Sequence, residues 1–296
     1  MVARRAYGQL ESIRSRLPQP ARQPTHYEQV PNLLAIADRF DNFFFDAFGV
    51  LNVGQTAIPN AIATVAELRR RGKRLLVVSN ASAYDKEYMV EKFIRLGFDF
   101  SAEEIVASRD GLLAQIRSQP PRLYGVIGPR ERQSDLAGLN LIYYGEEDFY
   151  ERAEEILFLA AFGWDADQQR RFIAELSARP RPIHLGNPDL IAPQGDATSI
   201  EAGSYMLFLP DNLQPWLRVY GKPFPPIFQV ARGRIADFRP ERTLMLGDTL
   251  HTDVLGANNL GLASALVSDW GFFQGLDWAH YIEDSAIVPN FVLPAL

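Results

Sequence analysis

The chain has 296 residues, 47% hydrophobic and 22% charged, with a formal net charge of -6, a balance that suits a globular protein with room for more than one core. The acidic surplus excludes non-specific nucleic-acid binding as a default. The absence of cysteine excludes disulfides, thiolate metal sites and cysteine nucleophiles, and it fits a reducing, cytoplasmic setting.

The first stretch carries Arg4, Arg5, Arg14, Arg16 and Arg22 and lacks the apolar core of a secretory signal. Pro18, Pro20, Pro24 and Pro31 separate it from the main fold. Residues 1–41 therefore read as an N-terminal extension, a basic and solvated helix. Glu11 and the prolines suit an organellar transit peptide poorly. No apolar run in the chain is long enough to span a bilayer.

Asn42-Phe43-Phe44-Phe45-Asp46 is a short apolar run ending in a carboxylate, the pattern of a strand covered on both faces. Gly49 and Gly54 come next, in a loop. Pro59 suits the first turn of a helix through Ile62, Val65 and Leu68 to Gly72. A second strand is expected at Arg74–Ser79, then a helix from Asp85 to Leu96 closed by Gly97. Strand and helix in alternation predict an α/β fold with a parallel sheet.

The middle of the chain has strand patterns of its own at Leu123–Ile127, Leu139–Tyr143, Ile156–Phe162 and Pro182–Leu185, with a helix at Ala166–Ala178. It reads as a second α/β module inserted into the first. The alternation then resumes, with a strand at Leu217–Tyr220, a helix from Pro225 to Ile235, a strand at Thr243–Leu246, a helix to Leu260 and a strand at Ala263–Val267. The expected architecture is a doubly wound parallel-sheet core, residues 42–107 and 206–296, with an inserted α/β cap, residues 108–205.

Four short motifs at or just past strand ends carry the chemistry. Ligands of open α/β sheets sit beyond those ends. Asp46 can attack a phosphoryl group, although a carboxylate at a strand end more often caps a turn. In Gly247-Asp248-Thr249-Leu250-His251-Thr252-Asp253 two acids can face one hard cation, for which one or two carboxylates suffice. Lys222, between Gly221 and Pro223, can meet a phosphoryl oxygen or neutralise crowded acids. Ser79 and Asn80 lie at a strand-to-helix turn suited to phosphate.

Taken in order, DAFGVL at Asp46–Leu51, SNAS at Ser79–Ser82, GKP at Gly221–Pro223 and GDTLHTD at Gly247–Asp253 resemble the four motifs of the haloacid dehalogenase superfamily. GNPD at Gly186–Asp189 is similar to its class IIA branch, which includes 4-nitrophenyl phosphatase-like, pyridoxal phosphate phosphatase-like and sugar-phosphate phosphatase-like enzymes. The resemblance spans Asn42 to Val267. It implies Mg²⁺-dependent phosphate monoester hydrolysis with Asp46 as nucleophile and metal ligand. The Phe48 backbone carbonyl, Asp248 and Asp253 would complete the protein's share of the metal site. Ser79 would hold the phosphoryl group with Asn80 beside it, Lys222 would stabilise developing charge, and Asn187 and Asp189 would shape the substrate site. The implied partner is a small phosphorylated metabolite, with neither nucleic acid nor membrane, and the cap could serve self-association.

The pattern breaks at Phe48. Most phosphatases of the superfamily carry there an acid that protonates the leaving oxygen, help typically worth about 10²–10⁴ in rate. Its loss raises two alternatives. One is a phosphate-ester-binding protein with little turnover. The other is a 2-haloacid dehalogenase-type hydrolase, whose aspartate attacks carbon without metal and which has an aromatic at this position. The Asp248/Asp253 pair speaks against the dehalogenase, since acids crowded on Asp46 without a cation would repel it.

Overall fold

The computed structural model describes residues 2–20, 23–194 and 197–296. Two all-parallel sheets organise it. The larger has seven strands in the spatial order Glu28–Gln29, Phe291–Leu293, Ala263–Val267, Thr243–Gly247, Asn42–Phe45, Arg74–Ser79 and Ile105–Ala107. Asn42–Phe45 is an interior strand, paired with Thr243–Leu246 on one side and Arg74–Val77 on the other. Three consecutive phenylalanines fit there because both faces are covered. Phe43 and Phe45 pack with Val65, Leu68 and Phe93 of the helices Ala61–Arg70 and Lys86–Arg95. Phe44 packs on the opposite face with Ile227, Phe228 and Ala257, from the helices Pro225–Gly233 and Leu255–Asn259. The doubly wound α/β core is thus the one expected.

The second sheet has five strands in the order Leu217–Val219, Ile183–Leu185, Glu155–Phe158, Leu123–Ile127 and Asn140–Tyr143. Its helix Ala166–Ala178 has the expected bounds. Asp165 starts it by accepting from the backbone N–H groups of Asp167 and Gln168, a capping arrangement that satisfies otherwise orphaned donors.

Two expectations are corrected. Leu217–Val219 does not return to the first sheet but pairs in register with Ile183–Leu185 of the second. So short an apolar strand carries no sequence mark of which edge it joins. The N-terminal helix, Val2–Ser12, is not simply solvated: Ala6, Tyr7 and Leu10 are buried. Leu10, Ile13 and Leu17 join one apolar cluster with Leu207, Leu209, Val254 and Leu255. Tyr7 Oη donates to Asp284 at 2.7 Å, Glu11 meets His251 Nε2 at 2.5 Å, and Arg16 donates to the carbonyl of Leu207 at 3.0 Å. The arginines masked an apolar stripe at helical spacing. Arg22 lies outside the described residues.

Candidate active site

Strand ends of the first sheet deliver Asp46, Ser79 and Asp248 to one place, and Lys222 joins them from the chain after Leu217–Val219 of the second sheet. Asp46 comes directly after Phe45, with its N–H donating to the Leu246 carbonyl at 2.8 Å. Asp248 and Asp253 lie beyond the end of the neighbouring strand Thr243–Gly247. One oxygen from each of Asp46, Asp248 and Asp253 lies within 4.8 Å of the others. Lys222 is 1% exposed, and its Nζ stands 2.7 Å from Asp46 Oδ1 and 2.7 Å from Asp253 Oδ1. Both contacts miss the alignment of full hydrogen bonds, so charge attraction holds the ammonium there.

The electrostatics arise from one cation among three acids. Burial opposes the charge on Lys222, yet Asp253 and Asp46 outweigh it and hold the ammonium above its ordinary range. Burial, and then the charges of Asp46 and Asp253, push Asp248 well above the carboxylate range. Burial also raises Asp253, to about 6, with Lys222 pulling the other way. Such crowding is relieved by a further positive charge.

An all-oxygen donor set of this kind fits a hard divalent cation. The backbone is shaped for it. Asp248 is held by the Phe272 N–H, which donates to Oδ2 at 2.7 Å, and by Thr249 Oγ1, which donates to Oδ1 at 3.0 Å. Gly49 and Gly271 have φ of 76° and 72°, and a Cβ on either would collide with the Asp248 carboxylate. Only glycine lets two chain segments press this closely on the acid.

Asn80 ties the site together. Its Oδ1 accepts from the Lys222 N–H at 2.7 Å, and its Nδ2 donates to the Lys222 carbonyl at 3.2 Å and to Asp189 Oδ1 at 2.8 Å. Ser79 is buried and lines the same cavity, its Oγ accepting from the Ala81 N–H at 3.3 Å. Asn187 Oδ1 accepts from the Asp189 N–H at 2.9 Å, and Asn187 Nδ2 donates to Glu201 at 3.0 Å. Burial and the charge of Asp46 raise Asp189 to about 7, against the pull of Lys222 and Asn80.

These groups open on a cavity of about 510 Å³, walled by both modules, a volume that suits a small metabolite. The structure brings together Asp46, Phe48, Ser79, Asn80, Asn187, Asp189 and Asp248 along its wall, with Asp253 and Lys222 in direct contact behind them. Sequence reasoning missed three contributors. Gly271 and Phe272, which grip Asp248, carry no signal beyond a glycine after a strand. Lys92, on the helix Lys86–Arg95, looks in sequence like an ordinary surface lysine, yet it is buried with its Nζ 4.1 Å from the centre of the Phe48 ring. Burial lowers its pKa to about 8, partly offset by Asp46.

Residues 43–142 match the sequence model of the family described as haloacid dehalogenase-like hydrolase, and residues 219–295 match a second model, described as HAD-hydrolase-like. Chronophin of Mus musculus is 31% identical over 241 residues, covering 75% of this chain and 78% of its own. Phosphoglycolate phosphatase 1A, chloroplastic, of Arabidopsis thaliana is 28% identical over 263 residues, covering 81% and 72%. The crystal structure of a possible sugar phosphatase from Cytophaga hutchinsonii superposes with a TM-score of 0.80 at 22% identity, covering 91% of this chain and 98% of that one. The chain therefore belongs to the haloacid dehalogenase-like hydrolase family and is homologous to its nitrophenyl phosphatase and sugar-phosphatase branch.

Proposed function

We propose that this hydrolase is a Mg²⁺-dependent phosphate monoester phosphatase acting on a small phosphorylated metabolite, with Asp46 as nucleophile. The observation that carries the reading is the meeting of three carboxylates within 4.8 Å of one another, with Lys222 2.7 Å from two of them. Asp46, Asp248, Asp253 and the Phe48 carbonyl would hold Mg²⁺, which when bound neutralises phosphoryl charge. Asp46 attacks phosphorus, the bond to the leaving oxygen breaks, and the aspartyl-phosphate formed is then hydrolysed by water. Lys222 holds the Asp46 carboxylate in place and offsets charge gathering on the phosphoryl oxygens. Ser79 Oγ steadies the phosphoryl group, with Asn80 beside it. Asn187 and Asp189 bring the second module over it, and that module acts as the cap, excluding water from the reacting atoms. The cap would include Leu217–Val219 as well as residues 108–205.

Phosphate release from 4-nitrophenyl phosphate and a panel of metabolite phosphates tests the reading. Release should need Mg²⁺, stop with chelator, and be abolished by Asp46→Asn in a protein that still folds. Phe48 favours one second reading, a phosphate-ester-binding protein with little turnover. Ligands that raise the melting temperature while no phosphate is ever released would support it. A metal-free dehalogenase is disfavoured because burial and then the charges of Asp46 and Asp253 lift Asp248, a crowding that a cation would relieve. Chloride release from 2-chloropropionate in chelator would reverse that judgement.

A further inference from the structure

The chain has four lysines, Lys73, Lys86, Lys92 and Lys222. Three of them have partners: Lys73 hydrogen-bonds the Phe40 carbonyl, Lys86 the Ile105 carbonyl and Asp110, and Lys222 is ion-paired with two aspartates. Lys92 is 6% exposed, and among the described residues its ammonium has neither a hydrogen-bond acceptor nor an ion-pair partner. Its neighbours are the Phe48 ring, 4.1 Å from Nζ to centroid, and the Phe93 ring at 5.7 Å. An aromatic face attracts a cation, yet an ammonium has three N–H donors to direct at acceptors, and this one borders the cavity.

Its position indicates what would supply the acceptors. The helix Lys86–Arg95 turns Tyr88, Met89 and Lys92 toward the cavity that also holds Asp46. Asp46 and Asp253 already have Lys222, so the phosphoryl end of the site is served by its own cation. Lys92 lines the same cavity, against the Phe48 ring. The cavity, at about 510 Å³, exceeds what a phosphoryl group alone would fill and leaves room for the rest of the ester, with Lys92 as a cation on its wall.

We propose that Lys92 is a specificity-determining residue that receives a second anionic group, a carboxylate or a second phosphate, carried by the leaving group of the ester. This rests on the phosphatase reading and names the class of substrate within it. A lysine is a point charge on a flexible stem, so it accepts either anion without demanding a planar partner.

The test compares 2-phosphoglycolate and ethylene glycol bisphosphate with ethyl phosphate, which has a similar carbon chain and no second anion. Binding is followed by calorimetry with Mg²⁺ on the full chain, and kcat/KM is measured alongside. A charge-assisted contact predicts that one of the doubly anionic esters binds about 10- to 100-fold more tightly than ethyl phosphate, and the tighter of the two identifies carboxylate or phosphate. That ratio should collapse toward one in Lys92→Gln and survive in part in Lys92→Arg. Circular dichroism establishes that both variants fold. Equal binding of all three esters to the unaltered protein, or a preference that Lys92→Gln leaves intact, overturns the inference even if hydrolysis is brisk. A preference that depends on Lys92 without any phosphate release upholds the inference while the hydrolytic reading fails.

Discussion

Asn80 Nδ2 donates to Asp189 Oδ1 at 2.8 Å, which bonds the loop after Arg74–Ser79 directly to the second module. The same amide brackets the backbone of Lys222, accepting from its N–H and donating to its carbonyl. One side chain therefore fixes the lysine and the overlying module together. Asn80→Ala leaves a buried Lys222 N–H without its acceptor, a loss of about 1–3 kcal/mol. Urea unfolding should show an earlier midpoint at an unchanged slope, and phosphate release should fall. A variant as stable and as active as the parent would show that the bracket is dispensable.

Under the proposed reading Phe48 stands where an acid would protonate the leaving oxygen, and Lys92 lies against its ring. Phe48→Asp should speed hydrolysis of alkyl phosphates, whose leaving oxygens need a proton, and do little for 4-nitrophenyl phosphate. General acid help spans about 10²–10⁴. The adjacent ammonium would favour the ionised carboxylate, so the lower end of that range is expected. No gain in a folded, Mg²⁺-binding variant would mean that the site handles the proton in another way.

Gly271 has φ of 72° and leaves room that the Asp248 carboxylate takes up. Gly271→Ala forces a left-handed alanine, at about 1–2 kcal/mol, and pushes Asp248 from its place. Mg²⁺ affinity, read from the rise in melting temperature with added metal, should weaken about tenfold or more, by analogy with lost supports of metal ligands. An unchanged Mg²⁺ titration would separate this glycine from the metal site.

Metal-free stability should fall as pH rises from about 4 to about 7. Asp189 is raised to about 7 and Asp253 to about 6, and Asp248 is raised as well, while an unfolded aspartate titrates near about 3.9. In that window these three acids hold more protons folded than unfolded and outnumber the one opposing group, His251, which burial lowers, so each rise in pH favours unfolding. Asp41 and Glu67 have opposite shifts, each down to about 2 through hydrogen bonds from arginines. Their contribution is lost only as pH falls below the ordinary carboxylate range, outside the window. Mg²⁺ favours the ionised acids, so its stabilising effect should grow over the same interval. Thermal melts in chelator and in Mg²⁺ at about pH 5, 6 and 7 decide this, and a chelated protein that gains stability across them would contradict it.

Much of the scaffold could be read from residue order alone. Arg74–Ser79, Leu123–Ile127, Ala166–Ala178 and Ala263–Val267 have the expected bounds, because apolar periodicity and caps are local signals. The motifs around Asp46, Ser79 and Asp248 were legible for a related reason: each comes after an apolar strand of the first sheet, and parallel strands present their ends on one edge, whereas Lys222 follows Leu217–Val219 of the second sheet and reaches the site only through tertiary packing. Three things depended on contacts between residues distant in the chain. The sheet that Leu217–Val219 joins, the burial of the N-terminal helix against His251 and Leu207, and the isolation of Lys92 over Phe48 have no local mark. A short strand bears no record of its partner edge, an arginine-rich segment conceals its apolar stripe, and a lysine is written identically whether water or an aromatic ring surrounds it. Tertiary packing settles such cases because it alone determines which groups lose their water.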